Sequence, residues 1–180
     1  MASVALLAPA AQAQEARQQE LTLGATGFSY FSYQRPSAPF LVLEAAYHRR
    51  IASEGPWSAV RLGGGVRTGV PGGAIFPLEG FVQVQLSARI GIWEAMLGPE
   101  LGLSGYAKLA TGTLLPMQEL KAQEDARLGP VYVAFNAAPV RLHFGRVVAS
   151  ALELQLGTSP VSFGSAVRVQ VGLLKLGVEL

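Results

Sequence analysis

The chain has 180 residues, 50% of them hydrophobic by type, with 14 basic and 12 acidic side chains and a net charge of +2. That length suits one domain, and the balanced charge, with no basic cluster interleaved with aromatics, excludes a nucleic-acid partner. Charge recurs throughout the chain after residue 14, so there is no run of about 20 apolar residues to cross a membrane as a helix. Mean hydropathy is nevertheless positive, at +0.33. A chain this apolar without a spanning helix is either a soluble protein with a large core or a membrane barrel. The absence of cysteine fits an extracytoplasmic compartment as well as a fold that needs none.

Met1 to Pro9 is small and apolar, and Ala11-Gln12-Ala13 places small residues at the two positions a signal peptidase reads. Residues 1–13 therefore read as a signal peptide and 14–180 as the mature domain. No Lys or Arg precedes residue 14, so the basic segment that opens such a peptide is missing, which a truncated leader would explain. Period-two alternation then recurs almost everywhere, with turn residues between the runs. The pattern predicts eight strands: Glu20 to Tyr33, Phe40 to Ile51, Trp57 to Val70, Phe76 to Arg89, Trp93 to Leu109, Pro130 to Ala138, Gly145 to Leu156, and Phe163 to the last residue. The stretch Leu114 to Leu128, rich in Glu, Lys, Gln and Ala, favours helix and solvent instead. It reads as one long loop, over 110–129.

Each strand has one apolar and one polar face. Leu78, Gly80, Val82, Val84, Leu86 and Ala88 oppose Glu79, Phe81, Gln83, Gln85, Ser87 and Arg89. Val60, Leu62, Gly64 and Val66 oppose Arg61, Gly63, Gly65 and Arg67. Leu97, Leu101 and Leu103 oppose Glu94, Glu100 and Ser104. Leu152, Leu154 and Leu156 oppose Glu153 and Gln155. In the last strand the apolar phase runs from Val167 to Leu173 and then shifts to Leu174, which predicts a bulge there. A soluble barrel turns its apolar face inward, whereas a membrane barrel turns it to lipid. The apolar faces are mostly Val, Leu, Ala and Gly, with few rings to fill a centre, and the polar faces are thin in Lys and Asp. Both features favour the membrane barrel. Aromatics fit too: Tyr30, Phe31, Tyr33, Phe40, Phe76, Tyr132 and Phe163 fall near one set of strand ends, and Tyr47, Trp57, Trp93 and Phe144 near the other, as two interfacial belts require. Phe81 and Phe135 sit mid-strand.

Eight alternating strands, the Ala11-Gln12-Ala13 site and a final strand ending GLLKLGVEL resemble the small outer-membrane proteins of the OmpA/OmpX kind. Leu180 stands where that family usually ends in an aromatic. The resemblance implies an all-β, eight-stranded, antiparallel up-and-down transmembrane barrel in a bacterial outer membrane. It also implies lipid and lipopolysaccharide as surroundings and the barrel-assembly machinery as a partner. The long 110–129 loop, charged from Gln118 to Arg127 and extracellular if both chain ends face the periplasm, is where contact with an extracellular partner, another cell or lipopolysaccharide is expected.

Chemistry is sparse. Outer-membrane lipid A deacylases carry a His and a Ser two residues apart, but His48 and His143 lack such a Ser. Omptin-type proteases use several aspartates, and Asp125 is the only one here. Outer-membrane phospholipases use Ser, His and Asn. Asn136 and His143 would lie roughly 23 Å apart on one strand, and approach only if Pro139 marks a turn. No metal-ligand spacing appears, and no cofactor is expected. His143 is expected at a periplasmic turn, and His48 in the interior or at the interface. The residues expected to carry a special role are interior charges: Glu44, Arg61, Glu79, Glu100, Glu153 and Arg168. In a narrow interior they must pair, either as a plug that holds the barrel closed or as a polar conduit. The expected function is that of a non-enzymatic outer-membrane barrel with a structural, surface-contact or minor permeability role. The alternatives are a lipid-modifying barrel enzyme and a soluble lipocalin-like carrier.

Overall fold

The computed structural model describes residues 19–32, 35–36, 40–53, 59–70, 77–106, 130–160, 163 and 166–180. Residues 1–13 and the 110–129 loop lie outside the described residues. Nine strands follow in order: β1 (Gln19–Ser32), β2 (Arg35–Pro36), β3 (Phe40–Ser53), β4 (Ala59–Gly69), β5 (Leu78–Ile90), β6 (Trp93–Ser104), β7 (Val131–Phe144), β8 (Val147–Thr158) and β9 (Ala166–Glu179). β2 only extends the end of β1, through Phe31 opposite Pro36. The other eight pair antiparallel with their chain neighbours, and β1 pairs with β9 to close the sheet. The result is an eight-stranded up-and-down antiparallel barrel with no free edge.

The two rims differ. At one, where Glu20 faces Glu179, β5 joins β6 through Gly91–Ile92 and β7 joins β8 through Gly145–Arg146. Gly91 has φ 61° and Gly145 φ 67°, while neither following residue has positive φ. That is the sign pattern of a type II′ hairpin turn, which glycine enters without steric cost. At the opposite rim the connections are longer, above all the one from β6 to β7. We call these the turn rim and the loop rim.

The polarity is inverted relative to a soluble barrel. On β5, Leu78, Val82, Val84 and Leu86 are exposed outward while Glu79, Gln83, Gln85 and Ser87 are buried inward. β4 and β6 alternate the same way, with Arg61, Arg67, Glu94 and Glu100 inward. The last strand carries the anticipated bulge: Ala25 pairs with Leu174 and Thr26 with Gly172, so Leu173 falls outside the ladder. Across from it, Leu152 also falls outside, between Ala151 and Glu153, and takes φ 63°, the only positive φ at a non-glycine residue among the described ones. Such a conformation costs roughly 1–2 kcal/mol. The paired irregularity turns Leu173 and Leu174 both outward and so brings Lys175 into the interior.

Two expectations need correction. The sixth long strand does not stop at Ala138 but runs on through Pro139 to Phe144. Between Glu94 opposite Arg141 and Met96 opposite Ala138, β7 has an extra residue, and proline is tolerated at such a bulge, where no ladder hydrogen is required. The Pro139 carbonyl accepts the indole N–H of Trp93 at 3.1 Å. Two aromatic rings also lie elsewhere than expected. Tyr132 and Phe40 are not on the outer belt: Tyr132 is buried inside, and Phe40 packs on the buried rings of Phe28 and Tyr106 at 5.1 and 5.2 Å. Glycines make the room. A Cβ at Gly102 would meet the Tyr132 ring at 2.4 Å, and one at Gly65 the Phe81 ring at 2.7 Å. Tyr47, Trp93 and Phe144 do face outward near the turn rim, and Phe163 is exposed at the loop rim.

Candidate functional site

Closing the sheet brings inward side chains from all eight long strands onto one axis, and they sort into layers. Nearest the turn rim, four alternating charges form a ring. Arg61 donates to Glu20 at 2.8 Å and to Glu94 at 2.7 Å, and Arg141 donates to Glu94 at 2.8 Å and also to Glu20. His143 sits beside this ring, with Nε2 2.9 Å from Glu94 and Nδ1 3.1 Å from Glu179. Each acid is shared by two cations and each arginine by two acids, so no ring charge is buried unpaired, the condition for tolerating it.

The layer toward the loop rim is built around Arg67. Its Nε donates to Glu44 at 2.6 Å, Nη1 to Glu79 at 3.0 Å and to Tyr132 at 2.9 Å, and Nη1 and Nη2 hold the two oxygens of Glu100 at 2.5 and 2.8 Å. The Tyr132 hydroxyl in turn donates a hydrogen bond to Glu100 at 2.6 Å. Arg168 donates to Glu79 at 2.7 Å and lies 3.5 Å over the Tyr132 ring. Lys175 bridges Glu44, at 2.5 Å, and Glu153. Bidentate arginine bonds and ring stacking are the geometry arginine supplies and lysine does not. Above this layer Phe28, Phe40 and Tyr106 close over the axis. Tyr106 opens the long connection, whose start is pinned by the Gly105 amide bonding to the Leu78 carbonyl at 3.0 Å.

Of the residues singled out from sequence, Glu44, Arg61, Glu79, Glu100 and Arg168 are buried in this interior. Glu153 faces it with its side chain 23% exposed. Arg61 belongs to the ring, and the other five to the Arg67 layer or its edge. Sequence reasoning left out Arg67, which is the hub, and Glu20, Glu94, Arg141 and Lys175. Arg67 and Glu94 were already in the right phase. Arg141 was hidden by the expectation that β7 ends early. Asn136 and His143 share β7 with no turn at Pro139, and they serve different layers: Asn136 donates to Glu100 at 2.7 Å while His143 faces Glu94. A phospholipase-like pairing of the two is therefore not formed. His143 lies at the turn rim as expected, but points inward and is buried. His48 is also interior.

No family model matches the chain, and no curated protein matches it significantly. Among solved structures, Neisserial surface protein A (NspA) aligns over 90% of this chain and 97% of its own, at 9% identity and a TM-score of 0.50. The fold is that of the small outer-membrane barrels. Ail, the attachment invasion locus protein of Yersinia pestis, solved with the heparin analogue sucrose octasulfate, aligns over 91% of this chain and 98% of its own, at 9% identity and a TM-score of 0.49. An eight-stranded barrel of this kind is just wide enough for side chains to fill its interior, and the two ionic layers do so here.

Proposed function

We propose that the protein is a non-enzymatic integral barrel of a bacterial outer membrane, closed by an ionic plug, which acts at its outer surface. The inverted polarity carries this reading. Burying a leucine from water is worth roughly 1.5–3 kcal/mol, and Leu62, Leu86, Leu97, Leu101, Leu154, Leu156 and Leu176 are all exposed on the outside. Such a belt is sustained in lipid, not in water, which argues against a lipocalin-like carrier. In barrels of this class the short turns lie in the periplasm and the long loops outside. On that rule the turn rim is periplasmic and the connection from β6 to β7 is extracellular. The 110–129 segment is then the surface for an extracellular partner or lipopolysaccharide, and the barrel-assembly machinery is the route of insertion. Glu44, Arg61, Glu79, Glu100, Glu153 and Arg168 serve as plug residues rather than as a conduit, because the Arg67 layer and the rings above it occupy the axis. Two assays test this. The protein should fractionate with outer membranes, and purified protein in planar bilayers should show no steady conductance. Recovery in the cytosol would overturn the membrane assignment, and a stable open channel would overturn the plug.

A further inference from the structure

Between the Glu20–Arg61–Glu94–Arg141 ring and the Arg67 layer lies a cavity lined in part by His48, Gln83, Gln85, Gln155 and Gln170. All five side chains are more than nine-tenths buried. Their hydrogen-bonding polarity can be fixed from the carboxylates outward, since a carboxylate only accepts. Glu100 accepts from Asn136 at 2.7 Å and from Gln155 at 2.8 Å, which places the nitrogen of each amide toward Glu100. The Asn136 nitrogen also donates to the Gln83 oxygen at 3.0 Å, so the Gln83 nitrogen is the end that faces His48 Nε2, at 2.5 Å. His48 Nε2 therefore accepts, and its ring proton sits on Nδ1. Gln85 donates to the same Gln83 oxygen at 3.2 Å, and the Gln170 nitrogen, from which Glu44 accepts at 3.4 Å, also donates to Thr26 at 2.7 Å.

What remains is a defined set. The Oε1 atoms of Gln85, Gln155 and Gln170 are acceptors, His48 Nδ1–H is a donor, and none has a protein partner. We infer that this cavity is a binding site for a pair of water molecules held between the two ionic layers. The space a water centre can occupy there is about 30 Å³, and one buried water needs roughly 10–15 Å³ of it and two to four polar partners. Two waters supply donors for the three glutamine oxygens and a lone pair for the His48 proton. An alkali cation or ammonium meets only the acceptors, leaves the His48 proton unmet, and would sit beside Arg67, Arg141 and Lys175, which line the same space.

The test is nitrogen-15 NMR on the full chain in lipid nanodiscs, above the imidazole titration range. The expected result has two parts. His48 is neutral with its proton on Nδ1, and that proton and the Gln85 and Gln155 side-chain amides show cross-relaxation with water, separated from chemical exchange by its sign in the rotating frame. A His48 proton on Nε2 would overturn the polarity, and missing water cross-relaxation at these groups would overturn the site.

Discussion

Replacing Arg67 with methionine tests the plug at its hub. The guanidinium makes five hydrogen bonds, to Glu44, Glu79, Tyr132 and both oxygens of Glu100. Without it each acid keeps other partners: Lys175 for Glu44, Arg168 for Glu79, and Tyr132, Asn136 and Gln155 for Glu100. The layer nevertheless goes from three cations facing four acids to two. Removing one partner from a buried ion pair costs about 3–5 kcal/mol, and Arg67→Met should fall in that range. Arg168→Met removes a single bond to an acid and should cost less. Glu100 is the acid held bidentate, so the cycle of Arg67→Met with Glu100→Gln should show a coupling of about 1–3 kcal/mol. Urea unfolding in lipid vesicles, followed by tryptophan fluorescence, measures all of these. A coupling within about 0.5 kcal/mol of zero, or a larger cost for Arg168→Met than for Arg67→Met, would refute a hub at Arg67, because additivity at that level marks sites that do not interact.

Further outcomes follow from facing and packing. Val84→Arg, on the outward face in mid-strand, should cost about 2–4 kcal/mol in the same assay, and Leu103→Arg, near the loop rim, about 0–1 kcal/mol; equal costs would contradict the depth assigned to them. Gly102→Ala pushes a methyl group into the Tyr132 ring and should cost about 1–3 kcal/mol. Gly80→Ala meets nothing within 4 Å and should stay close to the parent protein; a reversed order would remove the close-approach account.

The facing of the strands was legible because alternation has a period of two, and one residue's phase fixes its neighbours. The bulge at Leu173 was legible for the same reason: two successive leucines break the phase, and the ladder does skip there. Pro139 misled because proline reads as a strand terminator, while a bulge absorbs it. Tyr132 and Phe40 misled because rings near strand ends suggest interfacial belts, whereas their parity, shared with Ala134 and Glu44, already pointed inward. The pairing of charges follows only in part from neighbouring strands. Arg67 stands directly opposite Glu44 on β3 and Glu79 on β5 in the ladders, so the register of adjacent strands already brings those acids to it. Its contact with Glu100 on β6, two strands away, and that of Arg141 with Glu20 cross the interior, and only the curling of the sheet into a barrel brings those side chains together.

The most direct test of a barrel that spans the outer membrane and presents its long connection outside is protease treatment of intact cells. Cleavage after Lys121 or Arg127, with the strands protected, is the predicted result. Protection of that segment in intact cells, with cutting only after the outer membrane is opened, would contradict it.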